Sequence, residues 1–386
     1  MAVKTNYSIN GKNYFRVSAS FGRDSNGKLI RKYFYGKSEK EAKKKLEEYK
    51  ESLKGGLVVD KNLYLSPIME QWLYEIVRNK IKASTFDRYE DIFRNYFKAS
   101  SLSYKLIKDI KSIDIQKYYN DLYKSGKSYS RIKSINKILN YFLNYCFAEG
   151  YILRNPCLNI TIPGKNNFTS KEVEVFSHDE LRTIIQSNDK SLIRLIAIVS
   201  FSTGMRIGEV LGLSWNDIDY KENQIHINKI VACYTEFYGD IRKKVKVIQA
   251  PKTKSSIRII PLPTTLIPIF EEVKRIQNIN KLKCGSSYKK EYKNQIFLTE
   301  DGNLIYPTNL THSWKLLLKR LDIPYKKFHS LRHTYATMQF EANVPLKTVS
   351  VLLGHASIDI TANTYTHVLK KEKNKSADII SVLKMC

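Results

Sequence analysis

The hydrophobic period of this chain changes along its length, and no single sheet or bundle can satisfy all of it. Residues 14–20 have period two, with Tyr14, Arg16 and Ser18 alternating against Phe15, Val17 and Ala19, the mark of a half-buried strand. Asp24-Ser25-Asn26-Gly27 supplies a turn whose Asn-Gly pair suits a hairpin, and residues 29–35 read as the return strand. Ser38 caps a charged helix running to about Leu53, Glu41 completes a capping box, and Gly55-Gly56 stops it. Residues 66–160 switch to helical spacing. Met69, Trp72, Leu73 and Ile76 share one face of a first helix, and further helices cover 83–97, 113–125 and 129–150, ended by Gly150 and Asn155-Pro156. Pro163-Gly164-Lys165-Asn166-Asn167 is a polar linker. Beyond it Ser177 and Glu180 form another capping box at the start of a mostly helical stretch, interrupted by β-branched runs at 225–231, 245–248 and 257–260. The expected fold class is multidomain, mainly α with small β parts.

Charge narrows the partner. The 386 residues carry 65 Lys+Arg against 37 Asp+Glu, a formal charge of +28, which favours a polyanion: nucleic acid or an anionic membrane surface. Residues 1–12 contain no apolar signal core, and the longest apolar stretch, 191–201, is short and broken by Arg194, so secretion and membrane spanning are not expected. Five cysteines without C-x-x-C or zinc spacing read as reduced thiols in a cytosolic protein that holds no metal. The sequence has no G-x-x-x-x-G-K-[ST], H-E-x-x-H or G-x-S-x-G, so the expected chemistry uses no ATP, zinc-bound water or serine elbow. The first sixty residues hold 14 Lys/Arg against 7 Asp/Glu. A small sheet bearing Tyr14, Arg16, Arg31, Lys32 and Tyr33 suits a DNA major groove; the alternative is a solvated sheet whose aromatics pack on its own helix. In the helical stretch Thr85, Arg88 and Arg94 are candidate DNA contacts, although such faces are usually only wet.

Four blocks in the last segment carry the chemistry. The first is Thr203-Gly204-Met205-Arg206-Ile207-Gly208-Glu209, ending an apolar helix and opening the next, with Arg206 and Glu209 placed to pair. The second is Pro251-Lys252-Thr253-Lys254-Ser255-Ser256, at a strand turn ahead of Arg258 and Pro261-Leu262. The third is His329-Ser330-Leu331-Arg332-His333. The fourth is Leu352-Leu353-Gly354-His355, followed ten residues on by Tyr365, with Pro345 and Gly354 bounding a helix. Singly, each has a bland explanation: a surface salt bridge, a solvated lysine, a satisfied histidine, a core tyrosine.

Together and in order, these blocks resemble the tyrosine site-specific recombinases: phage integrases, conjugative-transposon integrases and the Xer resolvases. The resemblance covers about residues 172–370 almost wholly and is nearest to integrases of conjugative transposons and of phages of Gram-positive bacteria. It implies an N-terminal three-stranded sheet plus helix as an arm-type DNA-binding module (1–60). A four-helix core-binding bundle (64–162) and a mixed α+β catalytic domain with a C-terminal tail (172–386) would follow. It further implies strand cleavage through a 3′-phosphotyrosyl intermediate and Holliday junction, without cofactor. Tyr365 would be the nucleophile, with Arg206 and Arg332 on the phosphate, and His329 and His355 completing the pocket. Lys252 would be general acid, with Lys254 the close alternative, and Glu209 would support Arg206.

The implied partners are double-stranded DNA with core-type and arm-type sites, three further copies of the chain in a tetramer, an excisionase and a DNA-bending host factor. The setting is the bacterial cytoplasm, on the nucleoid. Residues 231–249, with Arg242-Lys243-Lys244 beside Tyr234, Phe237 and Tyr238, read either as an extra hairpin reaching DNA or as an ornate loop. The tail residues Ile379, Ile380, Val382 and Leu383 have the spacing to pack on a neighbouring protomer. A non-catalytic DNA-binding regulator with a recombinase-like shell is the alternative function, distinguished by a lost nucleophile or arginine. If the positive charge is a DNA footprint, affinity for duplex DNA should fall steeply with salt in filter-binding or anisotropy titrations, because phosphate contacts release counterions. A flat profile contradicts it.

Overall fold

The computed structural model describes residues 7–9, 12–23, 29–56, 63–165, 173–239, 241–251 and 253–365. The chain divides into two compact units, residues 1–170 and 171–386. The turn expected at residues 24–27 and the tail after Tyr365 lie outside the described residues.

In the first unit β1 (Tyr7–Ile9), β2 (Lys12–Arg23) and β3 (Leu29–Gly36) form an antiparallel sheet in that order. The period-two alternation holds: Phe15 and Phe34 are buried with Ala42 and Leu46 of α1 (Glu39–Gly56), while Arg16, Ser18 and Ser20 pair with Tyr35, Tyr33 and Arg31 on the opposite face. Ser38 Oγ accepts the Glu41 N–H at 3.1 Å, as a cap should, but the Glu41 carboxylate takes the Lys37 N–H at 2.7 Å.

The stretch that follows is helical as its spacing requires: α2 (Leu65–Gln71), α3 (Arg78–Lys80), α4 (Ala83–Ile92), α5 (Ser112–Lys124) and α6 (Tyr129–Ala148). Two π-helical turns depart from it, one of them Phe93–Phe97 after α4. Residues Trp72–Val77 join α2 to α3 as a π-helix, in which the Arg78 N–H reaches back to the Leu73 carbonyl. The wider turn advances the buried face by one residue, so Val77 is fully buried where regular spacing predicts Ile76. Asn155 closes the segment from within, donating to Asn140 Oδ1 and Asn144 Oδ1 at 2.8 and 2.7 Å and accepting the Cys157 N–H.

The second unit opens with α7 (His178–Gln186), where Ser177 and Glu180 form the expected reciprocal capping box. Next come α8 (Leu192–Thr203), largely buried, and the short α9 (Ile207–Gly212). Strands β4 (Ile218–Asp219), β5 (Gln224–Ile227) and β8 (Arg258–Pro261) make one antiparallel sheet. Strands β6 (Ile230–Tyr238) and β7 (Ile241–Gln249) make a separate ribbon paired from Ile230↔Gln249 to Tyr238↔Ile241. The β-branched run at 225–231 is therefore two strands, not one. Asn228 and Lys229 break it, turning aside to bind the buried Asp217 carboxylate at 3.2 and 2.9 Å. Strand β8 pairs with β5 and β7 with β6, so the two strands flanking the expected lysine turn are not paired with each other.

Helices α10 (Ile267–Cys284), α11 (Pro307–Arg320), α12 (Ser330–Glu341), α13 (Leu346–Leu353) and α14 (Ile358–Thr364) complete the unit. Trp314 anchors its core, edge-on to Phe176 and Phe328, with its indole N–H on the Lys326 carbonyl at 2.9 Å.

Gly204 ends α8 at φ 66°, and a Cβ there would lie 2.5 Å from the Tyr335 ring. Gly204→Ala should destabilise the second unit by about 2 kcal/mol or more, from left-handed strain plus overlap. Urea unfolding followed by circular dichroism checks it, and an unchanged midpoint contradicts it.

Candidate active site

The chain reversals at Gly204 and Gly354 decide where the charged groups go. Both glycines are left-handed caps, of α8 and α13, and leave the final carbonyls of those helices without intrahelical donors. Guanidiniums take them. Arg332, only 2% exposed, donates from Nη1 to the Gly204 carbonyl (2.8 Å) and from Nη2 to the Leu353 carbonyl (2.7 Å). Arg206 reaches the Leu353 and Gly354 carbonyls at 3.5 and 3.3 Å, and Arg258 Nε donates to the Leu352 carbonyl at 2.6 Å. Gly354 must lack a side chain because a Cβ would lie 2.8 Å from Arg258 Nη1.

Glu209 binds two of these cations together. Sited in the first turn of α9, it takes the Arg206 N–H and Nη1 at 2.9 Å each, and Arg258 Nη1 and Nη2 at 3.2 and 3.0 Å. Burial alone would raise the pKa of this 2%-exposed carboxyl, but the Arg258 and Arg206 bonds and charges outweigh it and hold it below its ordinary value. Three guanidiniums against one carboxylate leave a surplus of two positive charges. Arg206 is the accessible one, 36% exposed. Burial, and then the Arg206 charge, push Arg332 down to about 9, still a cation at neutral pH.

The histidines beside them are neutral. His329 precedes α12 and His355 follows Gly354, and both are pushed down to about 4, by burial first and then, for His329, by neighbouring His333 ahead of Arg332 and Arg206, and for His355 by Arg332 and Arg206. His329 stands edge-on to His333, ring centroids 4.7 Å apart, and both His329 and His355 feel the Arg206 and Arg332 charges. His355 Nδ1 bonds Thr361 Oγ1 of α14 at 2.6 Å. Tyr365 caps that helix, is 1% exposed, and meets His333 Nδ1 through its hydroxyl at 2.8 Å. Burial raises its phenol pKa, with Arg332 opposing.

The structure thus gathers Arg206, Glu209, His329, Arg332, His355 and Tyr365 in the second unit. Lys252 lies outside the described residues; Lys254 opens an exposed single turn, Lys254–Ser256. Arg258 and His333 are the members that the sequence reading did not assign. A signal for Arg258 existed: it is the one basic residue in a β-branched strand that buries alternate positions.

The DNA-binding candidates belong to the first unit. Arg16 lies between the Tyr7 and Tyr33 rings, at 4.3 and 4.9 Å, and Arg31 is exposed on the same face, with Tyr14 also on it. Lys32 alternates to the helix side, with its ammonium 3.9 Å above the Tyr49 ring. Arg88 is beside the Tyr89 ring, Thr85 sits in the first turn of α4, and Arg94 is paired with Glu90 and Asp91 at 3.5 and 3.3 Å. Among the described residues no group of three or more His, Cys, Asp or Glu could hold a metal ion, and no helix is long and apolar enough to cross a membrane.

Solved structures share this fold. The Tn1549 transposon integrase in complex with transposon right end DNA matches with a TM-score of 0.64 at 19% identity, covering 82% of this chain and 100% of that one. A lambda integrase tetramer bound to a Holliday junction matches with a TM-score of 0.57 at 16% identity, covering 89% and 91%. The fold is that of the DNA integrases. Residues 174–372 match the phage integrase family, and residues 65–123 match the phage integrase N-terminal SAM-like domain. A tyrosine recombinase XerC-like protein of Caldanaerobacter subterraneus subsp. tengcongensis is 46% identical over 99% of this chain and 100% of its own length. The transposase of transposon Tn916 from Enterococcus faecalis is 22% identical over 84% and 79%. The chain belongs to the phage integrase family and is a tyrosine recombinase, an enzyme of site-specific DNA recombination.

Two outcomes follow from the pocket. Glu209→Ala strands Arg258 as a buried unpaired cation and should cost about 3–5 kcal/mol in urea unfolding; a loss under 1 kcal/mol contradicts the pairing. Because folding lowers the pKa of His329, His333 and His355, the unfolded chain binds more protons between about pH 6.5 and 4. Their stabilising contribution is complete above that window and drains away as pH falls through it. His355→Asn should make the urea midpoint less steeply dependent on pH there, and an identical slope refutes the assignment.

Proposed function

We propose that this recombinase is an integrase that inserts and excises a mobile element or prophage, and that Tyr365 is its nucleophile. The observation that carries the reading is the convergence of Arg206 and Arg332 on the Leu353 carbonyl, which fixes two guanidiniums side by side, with the Tyr365 helix following in the chain. A phosphodiester carries one negative charge and its five-coordinate transition state carries more. Arg206, the accessible one, offers N–H donors to that extra charge, and Arg332, buried and held by the Gly204 and Leu353 carbonyls, adds a fixed positive field that a flexible lysine cannot match.

In the cleavage step the phenolic oxygen of Tyr365 bonds to phosphorus and the bond to the 5′-oxygen breaks. The phenol loses its proton to a pocket base and the departing oxygen takes one from Lys252, with Lys254 as the alternative donor. His329 and His355, neutral in the free enzyme, add hydrogen-bonding capacity without further charge, and a bound phosphate would raise their proton affinity. Because the phosphotyrosyl link conserves the energy of the broken bond, resealing to a new strand needs no nucleotide.

On this reading residues 1–60 form an arm-type module whose open face presents Arg16, Arg31 and Tyr33 to DNA, and residues 64–162 form a four-helix domain on the core site. Residues 172–386 are the catalytic domain. Four copies act through a Holliday junction, as the lambda integrase tetramer is seen to bind one. An excisionase and a DNA-bending host factor set direction.

The test is covalent trapping. Incubated with a nicked duplex of the element's end sequence, from which the cut fragment diffuses away, the protein should form an SDS-stable DNA adduct. Tyr365→Phe should form none, and Arg332→Lys should slow trapping by about 10²–10³. An adduct from Tyr365→Phe refutes the nucleophile, and no adduct from the unaltered protein favours a DNA-binding role without cleavage.

A further inference from the structure

We infer that His333 is a positioning residue that clasps Tyr365 in a buried resting pose, so that cleavage waits on release of the tyrosine. The inference rests on Tyr365 being the nucleophile. Its hydroxyl bonds His333 Nδ1 at 2.8 Å, and its ring packs with Ala336, Phe340, Val349 and Leu353 at 1% exposure. In-line attack needs the phenolic oxygen about 3–3.5 Å from phosphorus. A side chain so enclosed offers a DNA phosphodiester no approach.

The same short helix is pinned at a second point, since Thr361, one turn before Tyr365 and fully buried, bonds His355 Nδ1 at 2.6 Å. Residues 332 and 333 therefore divide the work of α12. Arg332 turns to the carbonyls of Gly204 and Leu353, and its neighbour turns to the tyrosine. Burial keeps the His333 imidazole neutral at pH 7, with a pKa of about 4, so Nδ1 can accept the phenol proton. Without that acceptor the O–H would be unsatisfied in an apolar pocket, and the inward pose would lose its hold. Apparent reactivity scales with the fraction of molecules in the competent pose.

The experiment uses the full chain and two readouts. Without DNA, nitration of Tyr365 by tetranitromethane, read by peptide mass spectrometry, should be slow in the unaltered protein and about tenfold faster in His333→Ala. It should return close to the original rate in His333→Asn, which keeps an acceptor near the Nδ1 position. With the nicked duplex, single-turnover adduct formation should show the same order. Should the alanine variant melt below assay temperature, His333→Phe repeats the comparison, filling the ring's space without an acceptor. Equal nitration across the variants overturns the clasp. Slower trapping with unchanged nitration overturns it too, placing His333 at the chemical step instead. An adduct from Tyr365→Phe defeats the nucleophile reading alone, since the nitration difference would still stand.

Discussion

Three guanidiniums meeting the carbonyl end of one helix hold this enzyme's pocket together. The C-terminal carbonyls of α13 carry the negative end of the helix dipole and have no donors of their own. Arg258, Arg332 and Arg206 supply those donors at Leu352, Leu353 and Gly354. Such cations would repel one another in a dry pocket. Glu209 and the carbonyl dipoles offset the repulsion enough to keep the arginines packed, yet leave two charges uncompensated for an anion. The arrangement stabilises and prepares at once.

The neighbouring imidazoles follow from the same electrostatics. Beside permanent cations, and shielded from water, a histidine has no reason to take a proton, so His329 and His355 rest as neutral groups. Fixed charge and titratable group are thus separated by type. Arginine supplies the field, and histidine retains the ability to exchange a proton when a phosphate changes that field.

Much of this could be read from the chain, and the exceptions have physical causes. Capping at Ser177, the αL stops at Gly204 and Gly354, and the pairing of Arg206 with Glu209 are local, and local chemistry announces itself. The Phe15–Arg16 alternation placed a sheet correctly because one face is buried, while Lys32 fell on the helix side because parity, not residue type, decides the face. Val77 replaced Ile76 in the core because a π-helical turn leaves no mark in apolar spacing. The break after Ile227 was hidden because it depends on Asp217, ten positions upstream. Arg258 and His333 escaped assignment for a shared reason: each is defined by a partner distant in sequence, Glu209 and Tyr365.

Each of the three arginines has a main-chain oxygen among its acceptors, beside the Glu209 carboxylate that Arg206 and Arg258 share, and this has a consequence for which parts of the pocket tolerate exchange. Side chains at positions 352 and 353 can be exchanged for others of similar bulk while the oxygen lattice stays in place, because every residue brings the same carbonyl. Keeping those oxygens aimed depends on the left-handed bends at Gly204 and Gly354 as much as on the arginines that meet them. Comparisons that score only reactive side chains would overlook half of the anion-binding frame, which is written in backbone.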